Sequence, residues 1–271
     1  MSVLNALILG ITQGLTEFLP ISSSGHLIIV PYLLKYRAQL LVFDTTLHLG
    51  TAAALIVYFW KDLYAIFLGF VQDFVAKLFK FSQYSPQGKT ALKIILGSIP
   101  AGLIGYFFED FFVTGFRQML TVGVFLMLGS VLMLFAELFS KRDREALTLP
   151  QGILVGLFQA LALFPGVSRS GATISGGMFL GLKRKDAAKF SFLLSVPIVV
   201  VAGVFKIFSS TSLLEEISNS SLLVGFIASF LTGIVAIKFL LNFLQNHKLN
   251  LFIIYRLLLG VVLVFLSQVI A

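Results

Sequence analysis

Cysteine is absent from this 271-residue sequence, which excludes disulfides and thiolate metal sites and leaves the redox compartment unreadable. Charge is scarce. Asp, Glu, Lys and Arg together make up 12% of the residues, against about 25% in a soluble domain. With 58% hydrophobic residues and a mean hydropathy of +0.99, a soluble globular chain is excluded. No long polar stretch is available for a separate soluble domain. The short alternating segments of a membrane β-barrel are missing too; apolar residues run in long continuous blocks instead. The N-terminus lacks the charged region and cleavage site of a signal peptide, so the first apolar segment is expected to belong to the mature fold. Acidic residues number 12 against 20 basic ones, for a net charge of +8. In a membrane protein that excess reports orientation and anionic lipid rather than nucleic acid.

What is present predicts an all-α polytopic membrane protein, one integral domain over residues 1–271. Six spanning helices are expected at 43–60, 89–108, 116–139, 187–208, 220–243 and 250–270. Each is long enough for a hydrocarbon core of about 30 Å. Two further regions, 1–34 and 149–182, are apolar at both ends and polar in the middle. Pro20 and Gly25 break the first; Pro165, Gly166 and Gly171 break the second. Irregular backbone at membrane depth survives only when buried in protein or lining a wet cavity. The two regions therefore read as re-entrant helix pairs that face each other.

The halves resemble one another. Gly10-Ile-Thr-Gln-Gly-Leu-Thr-Glu17 aligns with Gly152-Ile-Leu-Val-Gly-Leu-Phe-Gln159, and a Ser-x-Ser-Gly follows in both, at 22–25 and 168–171. Three spans then follow in each half. The first repeat is 1–139 and the second 149–271; the odd number of crossings inverts the second copy. Loops 61–89, 140–149, 183–189 and 244–250 carry most of the Lys and Arg. The opposite side has Lys35, Arg37 and Arg117 and the acidic pair Glu215 and Glu216. The positive-inside rule makes the first side cytoplasmic and puts both termini outside. The first motif loop then enters from outside, the second from the cytoplasm.

The motif loops hold the chemistry. Ionisable groups in apolar surroundings are costly and mark functional sites by default. Gln13 and Glu17 lie one helical turn apart. Ser22, Ser23 and Ser24 precede Gly25 and His26 where a new helix starts, and exposed helix-start amides bind anions. The second loop offers Ser168, Ser170, Gly171 and Thr173 around Arg169, whose guanidinium grips phosphate bidentately. Brought together, these residues fill the roles of phosphoryl transfer. Arg169, Ser168, Ser170, Thr173 and backbone amides would hold the phosphate. Ser23 would attack, with His26 moving the proton. Glu17 would act as base or as a metal ligand with Gln13. A divalent cation, Mg or Ca, is physically reasonable beside a pyrophosphate. Whether Ser23, His26 or water attacks is left open.

Plainer readings exist for each residue. Single serines at helix starts are usually caps, a lone intramembrane Glu suits a transporter's proton or cation site, and a lone Arg suits a lipid headgroup. Two matched loops carrying the whole set favour catalysis. Asp44 and His48 share a helix face that reaches toward the site. Glu109, Asp110 and Glu137 read as interfacial helix ends, His247 as solvated. Lys93, Lys206, Lys238 and Arg256 read as snorkelling or paired. The 29 phenylalanines read as packing and lipid-facing bulk.

On Gln13-x-x-x-Glu17, Pro20-Ile-Ser-Ser-Ser-Gly-His26 and Pro165-Gly-Val-Ser-Arg169-Ser-Gly-Ala-Thr173, the chain resembles the undecaprenyl-diphosphatase, or bacitracin-resistance, family. The likeness covers nearly the whole chain, including the helix with Tyr255-Arg256. It implies removal of the terminal phosphate of undecaprenyl pyrophosphate at the outer face of the bacterial cytoplasmic membrane. That reaction recycles the lipid carrier for peptidoglycan synthesis and is linked to bacitracin resistance. Glu17, Ser23, His26 and Arg169 correspond to the family's essential residues. Gln13 stands where the pattern allows Glu or Gln, so only one carboxylate is offered, which weakens any two-carboxylate metal site. The partner implied is a polyprenyl diphosphate lipid; a homodimer is left open. The other lipid-phosphatase superfamily needs a His six residues after its loop Arg, where this chain has Ser175. The rival function is a polyprenyl-phosphate transporter or flippase, because opposed broken helices also serve alternating access.

Overall fold

A computed structural model describes residues 1–34, 41–209 and 218–270. The expectations resting on Lys35, Arg37, Glu215 and Glu216 fall outside those residues, as do the side chains of Glu109 and Lys206. Every regular element among the described residues is helical. In chain order they are α1 (Val3–Phe18), α2 (Ser23–Leu33), α3 (Leu41–Tyr58), α4 (Trp60–Lys77), α5 (Pro86–Phe116), α6 (Met119–Phe139), α7 (Leu149–Leu161), α8 (Arg169–Phe179), α9 (Arg184–Ser209), α10 (Asn219–Asn246) and α11 (Asn250–Ile270). The all-α polytopic class holds. Five stretches are long and apolar enough to cross a membrane: Pro86–Phe108, Met119–Phe139, Arg184–Gly203, Asn219–Asn246 and Asn250–Val269. The pair α3–α4 supplies a sixth candidate, bent by 75° at Phe59.

That bend corrects one expectation. Residues 61–89 read as a loop, yet most of them form α4 and a short 3₁₀ turn at Phe81–Gln83. The helix forms because its polar residues pair locally. Asp73 takes Lys77 one turn on, at 2.6 Å, and accepts the backbone N–H and hydroxyl of Ser85 at 2.7 and 2.6 Å. Ser85 in turn caps α5, with Pro86 in the first helical turn, where its missing N–H costs nothing. Helix α5 also runs further than expected, to Phe116, across a kink at Phe108.

Both broken regions appear as helix, loop, helix: α1–α2 and α7–α8. Each first arm is too short to span the membrane alone and packs closely on a full-length helix through glycine. A Cβ on Gly14 of α1 would sit 1.9 Å from Thr232 Oγ1 of α10. A Cβ on Gly156 of α7 would sit 1.9 Å from the Gly97 carbonyl oxygen of α5. In lipid no hydrophobic force drives helices together, so such close backbone approach is what associates them. Phe18 at the end of α1 is fully buried and meets the Phe192 ring of α9 edge-on at 5.6 Å between centroids. The loop after α1 is thereby fixed at the centre of the bundle.

Candidate active site

The second helix of each broken pair starts on a serine in the left-handed region, Ser22 at φ 74° and Ser168 at φ 71°. That region disfavours residues with a Cβ, and such strain concentrates at functional sites. Local hydrogen bonds hold it. The Ser22 hydroxyl accepts the Gly25 amide at 3.4 Å, and the Ser168 hydroxyl accepts the Gly171 amide at 3.2 Å. Each also meets the serine two residues on, Ser24 at 3.1 Å and Ser170 at 3.2 Å. The loops then grip one another. The Gly166 amide donates to Ser24 Oγ at 3.2 Å, and Ser170 Oγ donates to the Leu19 carbonyl at 3.2 Å.

Glu17 lies at the junction. Its Oε1 accepts from Arg169 Nη2 at 2.7 Å; its Oε2 accepts from Ser23 Oγ at 2.7 Å and Gln13 Nε2 at 3.0 Å. One carboxylate thus bridges a hydroxyl from the first loop and a guanidinium from the second. Ser23 and Arg169 are partly exposed, whereas Glu17 is 9% exposed. Arg169 keeps Nη1 buried with no hydrogen-bond partner, and Gln13 keeps Oε1 in the same condition. A donor and an acceptor are therefore left over beside the carboxylate. Unpaired buried groups cost about 1–3 kcal/mol each; an anion at Arg169 Nη1 and a water donating to Gln13 Oε1 would recover them.

His26 sits behind this junction. Its Nδ1 lies 2.7 Å from the Ser22 carbonyl, an atom that only accepts, so Nδ1 carries hydrogen. Its Nε2 lies 2.7 Å from the Tyr255 hydroxyl, and the two rings stack at 5.8 Å. His26 therefore braces the strained Ser22 and connects to Tyr255 rather than touching Glu17 directly. Ser168, Ser170 and Thr173 are buried, and their hydroxyls hold the loop; Thr173 bonds the Arg169 carbonyl and Ser191 at 2.7 and 2.6 Å. The amides of Gly25 and Gly171 are used in the caps. Ser24 is exposed and Ser23 and Arg169 are partly exposed, so these are the loop groups that solvent reaches.

A resident metal does not fit these residues. A cation caged by protein alone takes six or more oxygen ligands, whereas Mg²⁺ carried with a substrate phosphate needs only one or two carboxylates. Glu17 already accepts three donors, and no group of three His, Cys, Asp or Glu converges among the described residues. The ligand pair Glu17 and Gln13 is adjacent, but the Gln13 amide nitrogen, not its oxygen, faces the carboxylate.

Sequence reasoning missed Arg256. Read as snorkelling or paired, it is 0% exposed on α11. Its guanidinium donates to the carbonyls of Pro20, Gly166, Val167 and Leu126 at 3.1, 3.1, 2.8 and 3.2 Å. It therefore ties both loops to α6. Glu137, read as interfacial, is buried and accepts from Arg142, from both arms of Arg184 and from the Leu249 amide. His48 does approach the site, with Nε2 3.8 Å from Glu17 Oε2; Asp44 instead pairs with Arg117 at 2.9 Å.

Fold and site together define a helical membrane protein whose two broken hairpins meet at Glu17, Ser23 and Arg169. The family model described as bacitracin resistance protein BacA matches residues 6–262. The undecaprenyl-diphosphatase of Methanosphaera stadtmanae is 40% identical over 277 residues, covering 99% of both chains. That of Thermodesulfovibrio yellowstonii is 44% identical over 260 residues, covering 95% of each. That of Myxococcus xanthus is 38% identical over 270 residues, covering 99% of this chain and 90% of its own. The chain belongs to the BacA family of bacitracin resistance proteins.

Proposed function

We propose that this protein hydrolyses undecaprenyl diphosphate to undecaprenyl phosphate and inorganic phosphate, in line with the activity named for its relatives. The observation that carries the reading is the Glu17 carboxylate joining the Ser23 hydroxyl to the Arg169 guanidinium, each at 2.7 Å. A hydroxyl beside its own base, next to a phosphate-binding cation, is the minimum for nucleophilic phosphoryl transfer. In our mechanism Arg169 leaves Glu17 in part to bind the terminal phosphate through Nη1 and Nη2. Ser23 Oγ bonds to the terminal phosphorus and its proton passes to Glu17. The bond from that phosphorus to the bridging oxygen breaks, and undecaprenyl phosphate leaves as the anion. Water then attacks the phosphoserine phosphorus, the bond from phosphorus to Ser23 Oγ breaks, Glu17 returns its proton to Oγ, and both hydrogens of the water leave with the inorganic phosphate. His26 keeps Ser22 and hence Ser23 in place. A divalent cation enters this picture as a companion of the diphosphate, and no step depends on it.

We further propose that the two halves, 1–139 and 149–271, form an inverted repeat. The matched serine caps at Ser22 and Ser168 support it. The Lys- and Arg-rich loops support an orientation with both termini outside and the pocket open to the outer face of the cytoplasmic membrane. Removing the diphosphate form of the carrier there would deprive bacitracin of its target. Purified protein in detergent should release phosphate from undecaprenyl diphosphate, and rapid acid quench should trap phosphate on Ser23. Full activity in Ser23→Ala and in Arg169→Ala would overturn the site.

A further inference from the structure

A second cationic site lies away from the candidate active site. Lys89 and Lys93 stand one turn apart on α5, and among the described residues neither forms an ion pair. Like charges at this spacing repel. Lys93 lies within the membrane-spanning stretch Pro86–Phe108 and is half-buried. Its stem packs on α7: a Cβ on Gly152 would lie 2.8 Å from Lys93 Cβ and 2.9 Å from Cγ. An unpaired cation in such a position is costly unless an anion joins it.

Space for that anion exists. A cavity of about 250 Å³ is lined by both lysines, by the hydroxyl-bearing Ser82 and Thr148, and by apolar walls that include Leu92 and Leu147. It carries no carboxylate. Lys93 also borders a smaller neighbouring cavity of about 140 Å³ that contains Glu145, Asp186 and Lys189. There Glu145 is taken by Lys183 at 2.7 Å and Lys189 by Asp62 at 2.6 Å. Helix α7 starts at this rim and runs 13 residues toward the Arg169 loop, which sets the cavity about 20 Å from the active-site loops.

We propose that this cavity is a second binding site for a phosphate group, carried on the headgroup of an anionic membrane lipid. Half-buried Lys93 balances the single negative charge of a phosphodiester, exposed Lys89 offers its oxygens further donors, and the leucine walls meet the first acyl carbons. The site lies on the Lys- and Arg-rich face, where basic pockets between membrane helices meet anionic headgroups. It does not depend on the proposed hydrolysis.

The test uses full-length Arg169→Ala protein in neutral detergent, so that the active-site guanidinium makes no contribution. Binding of dioctanoyl phosphatidylglycerol, dioctanoyl phosphatidylcholine and inorganic phosphate is measured separately. One saturable phosphatidylglycerol per chain is expected, weakened roughly thirtyfold by Lys89→Gln with Lys93→Gln, with little phosphatidylcholine binding. Inorganic phosphate binding as tightly as the lipid, and equally sensitive to the two lysines, supports the site but assigns it to free phosphate. Undiminished binding in the double variant overturns the proposal. Wild-type protein gives a check that needs no variant: on adding phosphatidylglycerol, amine acetylation at Lys93 should slow several-fold while that at Lys248 does not. Equal slowing, or none, also overturns it. Phosphate release by the double-lysine variant, with Arg169 intact, should stay within about twofold of wild type, separating this site from catalysis.

Discussion

The two broken hairpins share a backbone and differ in chemistry. Both turn through a serine with positive φ, both cap their second helix with that serine, and both lock a Ser-x-Ser pair across the turn. Only the side chains diverge. Glu17 aligns with Gln159, Ser23 with Arg169, and His26 with Ala172. The first hairpin thus carries carboxylate, hydroxyl and imidazole, and the second carries positive charge. The contrast is sharpest at the first pair. Both Glu17 oxygens are occupied, whereas both amide atoms of Gln159 are buried without a partner. The matched caps share one carboxylate and one arginine between them: the first hairpin has Glu17 where the second has Gln159, and the second has Arg169 where the first has Ser23.

The largest effect should follow from breaking the bridge between the hairpins. Arg169→Ala removes the second loop's cation that reaches Glu17, and Ser23→Ala removes the oxygen proposed to attack. Each is expected to lower phosphate release by about a thousandfold or more, the scale of losing a preorganised charge or a nucleophile. Release of lipid monophosphate within tenfold of wild type would separate the bridge from catalysis. Next comes Arg256→Met. Four carbonyls lose a donor shared between the hairpins, and removing one partner from a buried charged network costs about 3–5 kcal/mol. Thermal unfolding in detergent should drop by several degrees, with activity lost through misplaced loops. An unchanged unfolding temperature would show that the loops hold each other without it.

Much of this was legible in the sequence, for physical reasons. Long apolar runs have one solution in lipid, so five of the six spans could be placed within a few residues, the exception being 43–60, which continues past a bend into α4. Pro20, Pro165 and Gly166 marked both breaks, and the motif residues pointed to one shared site, although a direct pairing of Glu17 with Arg169 was not among the expectations. Arg256 was illegible because its partners are carbonyls, and no sequence pattern records which carbonyls a turn aims inward. Helix α4 hid for a different reason. Its charges suggested a loop, although Asp73 and Lys77 at helical spacing were a readable sign of a helix. Glu137 resembled an interfacial residue until Arg142, Arg184 and the Leu249 amide closed around it, from segments up to 112 residues away.

The α1–α10 and α7–α5 seams allow a subtler comparison. Gly14→Val and Gly156→Val each put a branched side chain where even a Cβ would lie 1.9 Å from a neighbour. Overpacking of this kind costs about 1–3 kcal/mol or more. Gly14→Val should also reduce activity, because α1 carries Gln13 and Glu17. Gly156→Val should act mainly on stability, because no proposed catalytic group lies on α7. Comparable losses of specific activity in the two folded variants would mean that α7 orients the Arg169 loop as strictly as α1 orients Glu17.

The smallest expected effect is the most discriminating. Gln159→Leu deletes two polar atoms that have no partner, so it removes a burial penalty and no bond. Stability should stay level or rise by about 1 kcal/mol, and phosphate release should stay within about twofold. Gln13→Leu, one of the equivalent small changes in the first hairpin, deletes a 3.0 Å bond to Glu17 and should cut activity about tenfold. The contrast carries the test, because both glutamines are buried in the first arm of their hairpins. Equal damage from the two substitutions would mean that Gln159 meets a partner during turnover, and the division of labour between the hairpins would have to be redrawn.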